Sequence, residues 1–155
     1  MTMPFQNAKV QGLFVGQTVT SGGTVTSGTI DALNAGVVSI FLSAYGATTG
    51  AVPGTVRVQH SDTDTASNFA NIDGYTANTS SSGYPTAIRT TSATNVVFGA
   101  FHVNMVGKKR YLRLLVDGPP SSTHAATVAA WALVGRNAAD VVGTNSGAQF
   151  VVNPA

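Results

Sequence analysis

The sequence predicts an all-β protein, a jelly-roll-like antiparallel β-sandwich with extended terminal arms. Apolar Val, Ala, Leu and Phe alternate with Ser, Thr, Asn and Gly at the two-residue spacing of strands. The apolar segments are short, and no long stripe of 3.6-residue period indicates a helix. About eight such strands joined by short turns are typical of a sandwich or jelly roll. The 155 residues suit one domain over 12–136, with an N-terminal arm at 1–11 and a C-terminal arm or terminal strand at 137–155.

The first half of the chain contains a predicted hairpin and two predicted strands. Thr18–Gly22 is echoed by Thr24–Gly28, which predicts a hydroxyl-rich hairpin that turns at the two glycines between them. Val37–Tyr45 is rich in β-branched and aromatic residues, as strands are. In Thr55–His60 valine alternates with polar residues, so we expect both valines to face the core.

The second half contains the strongest hairpin signal of the sequence. It joins Val96–Val106 to Arg110–Asp117 through Gly107 and Lys108, which suit a two-residue type II′ turn. We therefore expect these two strands to pair with each other.

Two further segments complete the assignment. Residues 62–85 are poor in aliphatic side chains and are predicted as the longest stretch without a strand. The alanines around 125–132 favour a helix by propensity, but β-branched and aromatic neighbours favour a strand over Thr127–Val134. This strand is apolar, so Trp131 within it is expected in the core.

The composition argues against several classes of function. Only 9% of the residues are charged, against roughly 25% in an ordinary soluble domain. The chain has no Cys and no Glu, which removes thiolate chemistry and most acid–base groups, so we expect no enzyme and no cofactor. The net charge of +2 is low for a nucleic-acid binder, and no apolar run approaches the ~20 residues that span a membrane. No secretory signal is visible. A surface so poor in charge is expected to be covered by protein.

The histidines and acidic residues form no known catalytic motif. His60, His102 and His124 lie in separate segments without the spacing of metal ligands. A loop from Asp62 to Asp73 is rich in carboxylate and amide oxygens, which calcium prefers, but it departs from the EF-hand pattern. The alternative is that its aspartates make turns through their own backbone, and we predict no metal site.

A basic cluster at Lys108, Lys109, Arg110 and Arg113 admits three interpretations. It is a solvated hairpin tip that prevents strand aggregation, a contact for an acidic patch on a partner protein, or a phosphate contact. The second interpretation agrees best with the low overall charge. We therefore predict these four residues as part of a protein interface.

Two stretches of the chain resemble small head decoration, or cement, proteins of tailed bacteriophages. The matching positions are Gly54–Asp64 with Phe69, Ile72, Gly74 and Tyr75, and Lys109–Val116 followed by Val128–Val134 and Gly135–Arg136. The resemblance spans roughly residues 37–136 and implies a jelly-roll body without catalytic residues. It further implies a homodimer or homotrimer that is made in the host cytoplasm, sits on the outer capsid surface of the virion and bridges major capsid subunits.

The two ends of the chain supply the remaining predicted interface residues. Phe5 lies in the N-terminal arm, and Phe150, Val151 and Val152 lie near the C-terminus. These three are costly to expose, so the tail is expected to dock on its own body, a sister subunit or the capsid. Addition of a strand to an exposed sheet edge satisfies both its backbone and its side chains. The alternative is an ordinary terminal strand of the same sandwich.

The sequence therefore predicts a structural virion protein that binds the outer surface of a phage capsid and cements neighbouring major capsid subunits. Its predicted partners are the major capsid protein and further copies of itself, with no nucleic acid and no membrane. The alternative function is a carbohydrate-binding β-sandwich of a host-attachment structure, in which Tyr75, Tyr84 or Trp131 stacks on sugars. The expected core position of Trp131 counts against this alternative.

Overall fold

The computed structural model describes residues 8–46, 52–78, 86–87, 96–135 and 150–152. Strands make up most of these parts of the chain, and the turns between them include a 3-10 turn at Ala66–Asn68. The strands are β1 Lys9–Thr20, β2 Thr24–Thr26, β3 Ile30–Asp31, β4 Val37–Gly46, β5 Thr55–Ser61, β6 Ala70–Asn78, β7 Thr86–Ala87, β8 Val96–Asn104, β9 Tyr111–Asp117, β10 Ala125–Gly135 and β11 Phe150–Val152.

Two sheets pack face to face as a sandwich. Sheet A has the order β1-β10-β4-β8-β11, and sheet B has the order β2-β9-β5-β6-β7 with β3 also paired to β9. The long strands are antiparallel to their neighbours, whereas the short edge strands β7 and β11 pair in parallel. Eight strands remain when the short β3, β7 and β11 are left out. Numbered again in chain order, the first, eighth, third and sixth of these eight form sheet A, and the second, seventh, fourth and fifth form sheet B. This is the jelly-roll order, which confirms the predicted fold class.

The core lies between the sheets and follows the predicted alternation. Val56 and Val58 of β5 are buried, and on β9 Leu112, Leu114 and Val116 are buried while their neighbours are half-exposed. Opposite them, β4 and β8 contribute the largest buried side chains of sheet A. Each such side chain contributes about 1.5–3 kcal/mol relative to exposure.

The two predicted hairpins are wrong in their pairing. β8 belongs to sheet A and β9 to sheet B, so the segment between them crosses the sandwich instead of closing a hairpin. The turn there has a Lys108 N–H that donates to the Met105 carbonyl at 3.0 Å, with Gly107 at φ +70 as its third residue, a type II pattern. Likewise β1 and β2 lie in different sheets, although the chain does turn at Gly22, whose φ is +74.

Two segment assignments also change. The predicted strand-free stretch 62–85 contains β6, because Ile72, Tyr75 and Ala77 are buried on one side of an otherwise polar strand. Residues 9–11 of the predicted N-terminal arm belong to β1. The alanine-rich segment is a strand, as predicted: β10 pairs with β1 and β4 in sheet A, and its alanines 126, 130 and 132 face the core.

One end of the sandwich holds three segments too close for side chains. The Gly54 N–H donates to the carbonyls of Asp117 at 3.0 Å and Gly118 at 3.1 Å, and the Gly118 N–H donates to Gly23 at 2.8 Å. A Cβ atom on Gly118 would collide with the Thr20 carbonyl oxygen. Glycine is therefore required at position 118 to join the ends of β1 and β9.

Candidate interaction surface

Within the described residues, the charged side chains lie almost entirely on one side of the sandwich. Sheet B and its adjoining loops carry the charged side chains of the described residues, except for Lys9 at the start of β1. The described residues of sheet A contain no other Asp, Lys or Arg. The two outer surfaces therefore differ in kind.

The outer side of sheet A is here called the sheet A face. Its members alternate with the core residues of the same strands and so point the other way. On β4 and β10 they are Ser39, Phe41, Ser43, Tyr45, Thr127, Ala129, Trp131 and Leu133, and on β8 they include Ala100 and His102. The face consists of methyl, hydroxyl and aromatic groups.

Trp131 is an exposed aromatic side chain of this face, and its predicted core position is wrong. It remains 42% exposed and stacks on Phe41, with ring centroids 4.2 Å apart and planes at 20°. Gly12 lies opposite it on β1 and brings no side chain against the indole. The signal was present in the sequence, since Trp131 is two residues from Ala129 and out of phase with the buried Val128 and the alanines 130 and 132.

A shallow groove of about 170 Å³ lies beside the aromatic pair. Small side chains form its middle, because Ser43 lies opposite Ala129. Tyr45, which is 55% exposed, and Thr127 line its far end. Four residues along a strand separate Tyr45 from Phe41, so the two aromatic groups are about 13 Å apart.

A buried polar pair lies on the same face. The Ser39 hydroxyl and His102 Nδ1 are 2.9 Å apart, and both residues are only 1% exposed. The His102 ring meets the edge of Phe41 at 6.1 Å, and its Nε2 has no hydrogen-bond partner within the described residues. Burial lowers the pKa of His102, so the ring is neutral near pH 7. The sheet A face therefore carries no formal charge at this position.

The predicted basic interface residues are placed near sheet B, and three have partners in the same chain. Arg110 makes a two-pronged contact with Asp31, at 2.8 and 2.7 Å, which lowers the pKa of Asp31 to about 2. Lys109 pairs with Asp62 at 2.9 Å.

The third paired residue of this group, Arg113, lies further along β9. Its Nε donates to Gln59 at 2.7 Å, and its guanidinium lies 4.2 Å from the centre of the Phe69 ring. A role for the basic cluster in binding a partner stays a prediction.

The loop that offered calcium ligands uses its oxygens within the chain. Asp62 faces Lys109, Asp64 accepts a hydrogen bond from the Thr29 hydroxyl, and Asn68 donates to Thr63 at 2.9 Å. Asp62 and Asp64 are thus held by side chains elsewhere in the fold. Within the described ranges, no group of three or more His, Asp, Glu or Cys residues is placed to hold a metal ion.

Four predicted site residues remain, and three of them lie in the described part of the chain. Phe150, Val151 and Val152 form β11, which pairs with Gly99–Phe101 of β8. Phe5 lies outside the described residues.

The three residues predicted to stack on sugars differ in their exposure to solvent and in whether the structure describes them. Tyr75 is buried, and its hydroxyl accepts a hydrogen bond from the Asn104 N–H at 3.4 Å, so it offers no stacking surface. Tyr84 lies outside the described residues, and Trp131 is exposed. No helix in the described part of the chain is long and apolar enough to cross a membrane.

Comparison with known proteins gives weak structural neighbours. No protein-family model matches the chain, and no curated protein matches its sequence. The K3 cleaved adhesin domain of Lys-gingipain from Porphyromonas gingivalis w83 overlaps with a TM-score of 0.40 and 13% identity, over 81% of this chain and 73% of that chain. The VP2 subviral particle of infectious bursal disease virus overlaps with a TM-score of 0.36 and 10% identity, over 84% of this chain and 31% of that chain. Neither is a phage decoration protein, and overlaps of this size assign no function.

Proposed function

We propose that the chain is a structural protein of a phage virion that lies on the outer capsid surface with its sheet A face against the major capsid protein. The observation that carries this proposal is the segregation of charge between the two sheets. A protein bound to the capsid surface has one side buried against protein and one side in water. The sheet A face suits the buried side, and the charged sheet B suits the side in water.

The physical chemistry of the sheet A face agrees with burial. A charge buried without a partner costs several kcal/mol, whereas methyl and hydroxyl groups and a neutral His102 do not impose that cost. Interface cores are depleted in charge and enriched in aromatic residues such as Trp131 and Tyr45. Trp131 and Tyr45 are 42% and 55% exposed, whereas Phe41 and Ala100 beside them are at most 5% exposed, so a partner would contact β10 and the end of β4.

Sheet B supplies the solvent-facing side in this arrangement. Its charges form surface pairs such as Arg57 with Asp117 at 2.7 Å. Such pairs contribute little stability but keep the surface hydrated. Copies of the chain, as a homodimer or homotrimer, would add modest contacts across the lattice and bind by avidity.

Co-sedimentation with capsids of the encoding phage, stripped of this protein, tests the proposal. The variant Trp131→Ser should bind at least roughly 30-fold more weakly, the loss expected when an interface aromatic worth about 2 kcal/mol is removed. The control Val106→Ser removes a side chain that is 81% exposed but lies outside the sheet A face, and it should bind like the wild type. Equal binding by Trp131→Ser and the wild type would overturn the proposed orientation.

The salt dependence of binding separates the sheet A face from the basic cluster. The affinity of an uncharged contact should change little between 50 and 500 mM salt, because the contact has no exposed charges for ions to screen. Binding through Lys108, Lys109 and Arg110 would weaken steeply over that range. A steep loss would therefore assign the contact to the basic cluster instead.

A second candidate is the carbohydrate-binding module, which the exposure of Trp131 and Tyr45 favours. Their rings lie on one uncharged surface, with the Ser43 hydroxyl between them and the Thr127 hydroxyl beside Tyr45. A glycan array with the wild-type protein tests this candidate directly. Binding to a defined glycan that Trp131→Ser abolishes, together with no capsid binding, would select it over the virion function.

A further inference from the structure

The C-terminal strand β11 lies at one edge of sheet A, close to sheet B. It pairs in parallel with β8 at the edge of sheet A and also lies near β6 and β7 of sheet B. It therefore closes one side of the sandwich between the two sheets. Among the described residues, three make this contact, and the other strands complete the jelly-roll order without them.

The connection that precedes β11 is longer than its position requires. Gly135, the last residue of β10, pairs with Val37 of β4, and Val37 pairs with Asn104 of β8. Phe150, the first residue of β11, pairs with Gly99 of β8. The two ends are thus separated by about five residues along the strands and three strand spacings across them, or about 22 Å. Residues 136–149 between them span up to about 50 Å when extended. The connection is therefore about twice as long as pairing within one chain requires, so it does not confine residues 150–152 to the edge of their own copy.

We propose that the β8 edge of one copy receives residues 150–152 of a neighbouring copy, so that β11 is exchanged between subunits. This inference deepens the proposed function, because it rests on copies that lie side by side on a lattice and names the contact that makes the homo-oligomer. An exchanged strand makes the same backbone hydrogen bonds as a strand from its own chain. The balance between the two is set by the local concentration of copies, which a capsid lattice raises. A three-residue edge strand opens readily, which allows the exchange.

The absence of cysteine from the chain permits a direct test by disulfide trapping. Val151 and Ala100 are partners in the parallel register, and neighbouring strands are close enough for a disulfide. One preparation carries Val151→Cys and the other Ala100→Cys. They are mixed at high concentration without capsids, oxidised and run on a denaturing gel without reductant. A mixture of Val151→Cys with Thr24→Cys, an exposed position on β2, measures random collision.

Exchange predicts at least a tenfold excess of the covalent heterodimer over the collision control. The double variant Ala100→Cys/Val151→Cys should then give dimers and larger chains as well as a crosslink within one chain. A crosslink within one chain only, with heterodimer at the control level, would refute exchange. No crosslink in either form would refute the β8–β11 pairing and the proposal with it. Because the assay uses no capsids, its outcome is independent of the binding test for the virion function.

Discussion

Replacement of Ser39 tests how the buried polar pair of the sheet A face contributes to stability. In the wild type the Ser39 hydroxyl meets His102 Nδ1 at 2.9 Å, and both groups are buried. Ser39→Ala leaves that ring nitrogen buried without its partner, which costs about 1–3 kcal/mol. For a chain of this length, the expected loss of melting temperature is about 2–4 °C for each kcal/mol. The double variant Ser39→Ala/His102→Phe removes both polar groups and should recover most of the loss.

The same pair predicts the direction of the pH dependence. Burial lowers the pKa of His102 below the 6.5 of a free histidine, and burial together with Lys109 and Lys108 lowers the pKa of His60. The unfolded chain therefore binds more protons than the folded chain once the pH falls below about 6.5, and the free energy of unfolding declines in acid. Each histidine contributes a limiting slope of about 1.4 kcal/mol per pH unit.

Urea unfolding of the wild type and both variants between pH 8 and pH 5 measures these effects. We expect Ser39→Ala to be destabilised at pH 8 and the double variant to lose less stability than the wild type on acidification. His60→Gln should remove the other part of the slope. The reasoning fails if Ser39→Ala is as stable as the wild type at pH 8, or if the double variant has the full acid slope.

Three further outcomes are expected from the described contacts. Gly118→Ala should lower the free energy of unfolding by more than about 3 kcal/mol, a large loss for a point mutant, because the new Cβ atom would meet the backbone of Thr20. The control Gly28→Ala has open space around its Cβ atom and should change the free energy of unfolding by under about 1 kcal/mol in urea. Asp117→Asn weakens a half-exposed pair with Arg57 and should lower stability by at most about 1 kcal/mol, measured in the same way. Millimolar calcium should leave the melting temperature unchanged, because Asp62 and Asp64 already face Lys and Thr side chains. A rise in melting temperature that a chelator reverses would contradict this.

Local pattern predicted the strands far better than their partners. The alternation in Val56–Val58 and in Leu112–Val116 identifies both the strand and its buried side, because side-chain direction repeats every two residues. The same rule applied to β10 places Trp131 with Ala129 on the outer side, whereas the apolar content of the segment alone indicates the core. Hydrophobicity alone does not distinguish a core residue from an interface residue, since both avoid water.

Pairing between distant segments was beyond the reach of sequence patterns. Gly107 indicates a turn correctly, but a turn that closes a hairpin and a turn that crosses between sheets need the same permissive backbone. The contacts of Arg110 with Asp31 and of Ser39 with His102 join residues 79 and 63 positions apart. Nothing local in the sequence specifies these partners.

The sequence by itself determined that this protein is a β-sandwich with very little charge, because strand periodicity and composition are properties of the chain. Only the tertiary structure decided where that charge lies. The jelly-roll order brings the charged segments from Asp31 to Asp117 onto sheet B and its loops, and it leaves sheet A with Lys9 as its charged member among the described residues. The sidedness arises because consecutive segments alternate between sheets, so that neighbours in space are distant in sequence. A low average charge thus becomes one uncharged face with Trp131 exposed on it.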